Sequence, residues 1–331
     1  MDNSKQLKLF GATDNETGAQ PKKAKRLLKE YEVDLGTRGI YNKKNKLNEL
    51  TGKEWTFFIN SIHMTTFSKN ESEFKLWKYL QESVIKTKYP TNGNNSIGHN
   101  LRKLHPSPKP PQLMRDLIAF FTKSGGWILD PFMGVGGTLL GASLLEGRNA
   151  IGIDLESKYV NIYNKVCEQE HIKKQIAICA DSRDLLKIDK IKDKEFDLIL
   201  TDPPYADMLS RKRTGGDHKD KGAFTTDKRD LGNMSYQQFL PEFRDIIEKT
   251  ISLLKDKGYI IIFCKDLQPT KEMQNLLHAD LVTEMCKIKN VYFKGYKIWY
   301  DETLNLYPYG YPFSYVSNQL HQFILIFRKE I

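Results

Sequence analysis

Cysteine is scarce in this chain, with four in 331 residues, and nothing about their placement builds a framework. Cys167, Cys179, Cys264 and Cys286 form no Cys-x-x-Cys pair and have no histidine at zinc-ligand spacing, so neither a disulfide scaffold nor a structural zinc site follows. Each sits among apolar neighbours and is expected to be a buried, reduced thiol. Long hydrophobic runs are also missing. Ile260–Phe263 and Phe323–Phe327 are strand-sized, far short of the roughly 20 residues that span a bilayer. The polar opening Met1–Lys5 leads into no signal-peptide core. A soluble, cytoplasmic protein without a membrane contact is expected. No internal repeat is visible.

What is present is a sizeable core and an uneven charge. An apolar content of 40% excludes wholesale disorder. The formal charge of +10 lies forward: residues 1–110 hold 20 Lys+Arg against 11 Asp+Glu (20 − 11 = +9), and the other 221 hold 31 against 30 (+1). A basic front on a neutral body suits an arm that meets a polyanion, or a solubilising tail.

Residues 1–50 are rich in Lys, Asn, Gly and Gln without sustained periodicity, which predicts a basic, partly disordered arm. Residues 51–105 read as a helical N-terminal extension: Trp55, Phe58, Ile59 and Ile62, then Phe74, Trp77, Leu80 and Val84, recur at helical spacing. Asn92–Asn95 and the prolines from Pro106 to Pro111 punctuate the link to residues 106–331, where strands and helices alternate. Strands are expected at 127–129, 150–153, 176–179, 196–200, 259–264, near Leu281–Ile288 and at 323–327. Helices are expected from Pro111, over about 138–146, 157–170 and 236–255, and briefly after 264. This alternation predicts an α/β fold, a doubly wound Rossmann-like sheet with helices on both faces.

The first strand of that sheet runs into Asp130-Pro131-Phe132-Met133-Gly134-Val135-Gly136-Gly137-Thr138, which opens a helix. Glycines at such a turn let a ligand approach the backbone over a helix N-terminus. Asp154 ends the next strand, 20 residues after Gly134 (154 − 134), where an acid accepts from ribose hydroxyls. Asp181 follows the third strand, where a carboxylate would take an adenine amine. The plainer alternative is a tight turn with helix-capping acids. Asp130-Pro131-Phe132 disfavours a dinucleotide site, and the lack of Gly-Lys-Ser/Thr excludes a phosphate-binding NTPase loop.

The fourth strand ends in Thr201-Asp202-Pro203-Pro204-Tyr205. Strands one and four flank the topological switch, so Asp130 and Asp202 are expected to be neighbours in space, 72 residues apart in sequence (202 − 130). Consecutive prolines fix φ and leave carbonyls without competing local donors. An aromatic exocyclic amine is a poor nucleophile because its lone pair is delocalised. Accepting its two N–H bonds, one at the Asp202 carboxylate and one at the Pro203 carbonyl, favours a pyramidal nitrogen that attacks the methyl of a sulfonium held in line. Neither a metal nor a covalent intermediate is needed. Tyr205 offers a flat face for stacking a base.

Asp130–Thr138 together with Asp202–Tyr205 resembles the DNA amino-methyltransferases, which modify adenine N6 or cytosine N4. His105–Pro111 is similar to the element those enzymes place against the methionine end of their cofactor, which assigns Lys109 there. The resemblance covers about residues 99–331. It implies S-adenosylmethionine as cofactor, held by Lys109, Asp130, Pro131, Phe132, Gly134, Gly136, Gly137, Thr138, Asp154 and Asp181, with Asp202, Pro203, Pro204 and Tyr205 catalytic. It implies DNA as partner and leaves open a restriction or specificity subunit and the oligomeric state. The glycine motif precedes the catalytic motif, an order opposite to that of many members. An acidic first residue in the tetrad points by resemblance to adenine N6.

Two further segments would meet the substrate. Residues 206–234 carry Arg211, Lys212, Arg213, Lys219, Lys221, Lys228 and Arg229 among five aspartates, and read as a mobile basic loop closing on phosphates. Residues 291–317 carry ten aromatics, including Tyr292, Phe293, Tyr296, Trp299, Tyr300, Tyr307, Tyr309 and Tyr315, and read as a target-base loop at the catalytic end if the last strand is antiparallel. Alternatives are cytosine N4 methylation, methylation of guanine N2 in tRNA or rRNA, and a non-catalytic nucleic-acid-binding module. Carbon-5 cytosine methylation is discounted because no cysteine sits at strand four.

Overall fold

The computed structural model describes residues 27–52, 54–55, 62–64, 96–206, 225–266, 276–300 and 321–331. Its centre is an eight-stranded sheet whose strands are β3 (Ile62–Met64), β4 (Trp127–Asp130), β5 (Asn149–Asp154), β6 (Ile176–Cys179), β7 (Phe196–Thr201), β8 (Leu254–Cys264), β9 (Val291–Tyr300) and β10 (His321–Lys329). Across the sheet the order is β3-β9-β10-β8-β7-β4-β5-β6. The strands from β6 to β8 are parallel, β10 runs antiparallel between β8 and β9, and β3 pairs parallel with the end of β9. The chain reverses direction across the sheet between β4 and β7, and that crevice is where such a fold binds ligands.

The central strands are apolar on consecutive residues because both faces are covered. Along β8, Ile260, Ile262 and Cys264 face one layer while Ile261 and Phe263 face the other. The first layer holds α4 (Tyr236–Ser252) and α5 (Leu277–Met285), through Phe239, Phe243, Ile247, Leu277 and Leu281. The second holds α1 (Pro111–Phe121), α2 (Gly137–Ser143) and α3 (Ser157–Gln169), through Leu113, Leu117, Leu139, Tyr163 and Val166. Pro111 opens α1 at a position that needs no N–H donor. Ser235 and Gln238 form a reciprocal capping box on α4.

Several expectations are corrected. Leu281–Ile288 is not a strand: Leu277, Leu281 and Met285 stand four apart and turn one buried stripe of α5 toward the sheet. The strand begins at Val291 and occupies ten residues of the expected target-base loop. Within it, Trp299 is buried edge-on to Phe263, and Phe293 packs on Phe327. Tyr307, Tyr309 and Tyr315 lie outside the described residues. Ile62 belongs to a strand rather than a helix; the second expected helix, around Phe74–Val84, also lies outside them.

The arm is structured in its second half. β1 (Glu32–Asp34) and β2 (Ile40–Asn42) form an antiparallel ribbon. It is followed by Asn48, whose amide donates to the Phe120 carbonyl, and by Glu49, which pairs with Arg148 and accepts from the Ser124 N–H at 2.8 Å. Lys and Asn richness hid these three-residue strands, which docking on α1 holds in place. Two of the four thiols, Cys179 and Cys286, are exposed, because the strand and helix that carry them end there; Cys167 and Cys264 are buried as expected. Among the described residues no helix is long and apolar enough to cross a membrane.

Candidate active site

β4 delivers Asp130 to the crevice. It is buried, with Oδ1 accepting from Thr201 Oγ1 at 2.7 Å and from the Phe132 N–H at 3.1 Å. Burial lifts its carboxyl to about 6, opposed by the hydrogen bonds from Thr138, Thr201 and Phe132 and assisted by the nearby Asp202 charge. The two acids expected to be neighbours across the switch therefore do sense each other.

The turn that follows depends on glycine at two places. Gly134 has φ +49° and lies against the His105 ring, and Gly136 has φ +76° with the Tyr163 ring directly beneath it. A Cβ at Gly136 would fall 2.2 Å from the Tyr163 ring, whereas at Gly125 (φ +84°) it would meet open space. We expect Gly136→Ala to lower unfolding free energy by about 2–4 kcal/mol, and Gly125→Ala by only about 1 kcal/mol, the cost of the left-handed backbone. Urea unfolding of both variants checks this. Equal losses would mean that the ring yields without cost.

Asp154, at the end of β5, ties the turn down. Its Oδ2 accepts from the Gly134 N–H at 2.9 Å and its Oδ1 from the Glu156 N–H at 2.8 Å. Burial raises its carboxyl to about 7, the two N–H donors pulling back and Asp230 and Asp130 pushing further. Asp181 caps the short 3-10 helix after β6, accepting from the Arg183 N–H at 3.0 Å and from the Arg183 guanidinium at 3.1 Å. The capping alternative is thus realised at Asp181, and its side chain lines the crevice as well.

These groups surround a solvent-open cleft of about 870 Å³. Of the expected site residues, Lys109, Asp130, Pro131, Phe132, Gly134, Gly137, Thr138, Asp154, Asp181, Asp202 and Pro204 line it; Gly136, Pro203 and Tyr205 are buried and are not among the lining residues. Its walls include acids and the apolar Phe132, Leu155, Leu231 and Ile246. His105, Ser107 and Lys109, the last paired with Asp202, line it as well. That donor set suits a ligand with a purine, a ribose and a zwitterionic tail.

The catalytic tetrad departs from expectation at Tyr205. Its ring is 5% exposed, inside the core, and offers no stacking face in this conformation. Its hydroxyl donates to Asp202 Oδ1 and contacts the Phe263 carbonyl at 3.0 Å. Burial, with Asp202 beside it, pushes the phenol well above its usual range, so it remains a donor. Asp202 Oδ2 pairs with the Lys109 ammonium.

Some lining residues had not been singled out, namely Glu156, Tyr159, Arg183 and Asp230, and Arg229 had been expected to meet phosphates. Glu156 and Tyr159 follow Asp154 by two and five residues, a local signal that was readable. Arg229 and Asp230 come from the segment read as a DNA-closing loop, and no spacing marks them. Arg229, Asp230 and Leu231 form part of this cleft's wall, where Thr225 donates to Glu156 and Asp230 caps a 3-10 turn at Leu231–Asn233. Arg211, Lys212, Arg213, Lys219 and Lys221 lie outside the described residues.

A family model described as DNA methylase matches residues 14–165 and 196–330. Type II methyltransferase M2.DpnII of Streptococcus pneumoniae is 46% identical over 67 residues, covering 20% of this chain and 25% of that protein. A tRNA (guanine(10)-N2)-dimethyltransferase of Methanothermobacter thermautotrophicus is 32% identical over 129 residues, covering 39% of this chain and 36% of its own. The chain thus spans a quarter of the first relative's length and little more than a third of the second's. The crystal structure of TrmN from Thermus thermophilus aligns with a TM-score of 0.42 and 16% identity, over 66% of this chain and 48% of that one.

Proposed function

The chain belongs to the DNA methylase family of N6 and N4 amino-methyltransferases, and on that premise we propose that it transfers a methyl group to adenine N6 in DNA. It is a methyltransferase, and S-adenosylmethionine is its cofactor. The observation that carries the proposal is the position of Asp202, an acceptor lining the same cleft as the glycine turn, Asp154 and Asp181.

When bound, S-adenosylmethionine supplies an electrophilic methyl. The protein's part begins with Asp154 and Asp181, placed to accept from ribose hydroxyls and the purine amine, while Phe132, Leu155 and Ile246 cover the ring. Lys109 would hold the carboxylate of the methionine end. Asp202 and the Pro203 carbonyl accept the two N–H bonds of the target amine and localise its lone pair. Asp202 is then the nearest base for the proton the nitrogen loses on becoming a secondary amine. The DNA lies across the carboxyl ends of β7 and β8, the end from which Asp202 projects.

Adenine is favoured over cytosine because Asp202, rather than a serine, opens the tetrad. Incubation with DNA and S-adenosylmethionine, followed by nucleoside mass spectrometry, should yield N6-methyladenine and no N4-methylcytosine. The reverse would move the target to cytosine and leave the enzyme class in place. The similarity to a tRNA (guanine(10)-N2)-dimethyltransferase supports a second reading, guanine N2 in tRNA. Parallel incubation with tRNA separates the two, and DNA is favoured because the family match runs through most of the chain.

A further inference from the structure

Both oxygens of Asp202 already have donors. Oδ1 takes the Tyr205 hydroxyl and Oδ2 takes the Lys109 ammonium, in an ion pair whose side chains are 15% and 5% exposed. A target amine approaching this carboxylate must compete with a desolvated cation. Separating such a buried pair without replacing the partner is strongly unfavourable. The ammonium needs somewhere else to go.

The structure supplies a route. The Lys109 backbone is fixed: its carbonyl accepts from the Arg102 guanidinium and packs against Gly137. The four-carbon stem beyond it is flexible. Its Nζ already lies 3.4 Å from Ser107 Oγ and 5.7 Å from the centre of the Phe263 ring, and the side chain lines the cleft. A carboxylate entering beside His105 and Ser107 would offer the same ammonium a second anion within the reach of one side chain.

We propose that Lys109 is a positioning residue shared between Asp202 and the cofactor carboxylate, so that cofactor binding draws the ammonium off Asp202 and frees it for the target amine. This rests on the function proposed above and adds a binding order to it: cofactor first, DNA second. The two ligands bind with positive cooperativity, roughly five- to hundredfold by the usual size of such couplings. The cofactor's carboxylate group, not its adenosine, carries the effect.

The experiment measures affinity for a fluorescent adenine-containing duplex by anisotropy. Wild-type protein is used alone, with saturating S-adenosylhomocysteine, and with the analogue of that molecule lacking the α-carboxyl. The expected result is an affinity gain of about tenfold with S-adenosylhomocysteine and none with the decarboxylated analogue. Lys109→Met should bind DNA equally with and without S-adenosylhomocysteine, and Lys109→Arg should restore part of the gain. Calorimetry establishes that each ligand is bound in every arm. Equal DNA affinity in all three wild-type arms, or a full gain in Lys109→Met, overturns the proposal. The wild-type arms decide it even if a variant fails to fold. DNA methylation by the wild type is measured alongside. Its absence overturns the proposed function, whereas methylation without the carboxylate-dependent gain overturns the role of Lys109 alone.

Discussion

Asp202→Ala should lose methyl transfer by roughly a thousandfold or more, the scale expected when an acceptor or base at the reacting atom is removed, and should keep S-adenosylmethionine affinity within about threefold. The asymmetry follows from where Asp202 stands. The glycine turn is tied by Asp154, and the proposed purine contacts come from Asp181 and the apolar walls, none of which shares a hydrogen bond with Asp202. Removing the carboxylate leaves Lys109 without that partner, so any change in cofactor affinity should be toward tighter binding. Asp202→Asn is the stricter test. It preserves shape and one acceptor but cannot take the proton, and should retain only a small residual rate. Single-turnover kinetics with calorimetry on the same samples gives both quantities. A variant that keeps most of its rate would make the tetrad a structural loop.

The second large effect is on pH. In the cofactor-free protein Asp154 titrates near 7 because burial and two neighbouring acids disfavour its charge. Its two oxygens already accept backbone N–H groups, and a proton would take a lone pair that ribose hydroxyls need. On the proposed function, the ionised form is thus the one expected to bind cofactor. Affinity should rise with pH through 7, by about tenfold between pH 6 and pH 8, since the ionised fraction changes by about that factor across a titration centred on 7. Stability runs the other way. The unfolded carboxyl gives up its proton near 3.8 while the folded one holds it to about 7. The contribution of Asp154 to stability is therefore full below about pH 4 and is lost as pH rises toward 7. Asp130, raised to about 6, adds in the same direction. Asp154→Asn should flatten the affinity profile, weaken cofactor binding by about 1–3 kcal/mol, and grow more stable relative to wild type between pH 5 and pH 8. Calorimetry and thermal melts at four pH values check both. A wild-type affinity independent of pH would remove Asp154 from the cofactor's ribose.

The parts of the fold legible in the sequence were those where one local rule sufficed. β4, β5, β7 and β8 are buried on both faces, so each is a short apolar run closed by a charge or a proline. Asp154 could be located because strand, turn and helix lengths fix where the second strand ends. Where two rules competed, the sequence misled. Leu281–Ile288 carries enough β-branched and apolar residues to suggest a strand, yet the spacing of Leu277, Leu281 and Met285 wins once a sheet face is there to receive it. β9 interleaves tyrosines and lysines and breaks register beside Gly295, which concealed a strand as a loop. Beyond the Asp130–Asp202 neighbourhood that the topology implied, pairings between distant side chains gave no signal. Lys109 and Asp202 are 93 residues apart, and neither predicts the other as its partner. The inward turn of the Tyr205 ring depends on the Phe263 carbonyl of the neighbouring strand.

The pairing of β3 with β9 bears on the order in which a ribosome releases the molecule. Ile62 lies in register with Ile298, a separation of 298 − 62 = 236 residues. At a synthesis rate of about 5–20 residues per second, the earlier strand waits roughly 10–50 s for its partner to emerge. During that time β4 through β8 can assemble without it, since every pairing among them lies within 196–264 or 127–201. Keeping the waiting strand to three residues limits the backbone available for pairing with a neighbouring nascent chain. This edge of the sheet is thus fastened by a short clasp that must wait until β9 has been made.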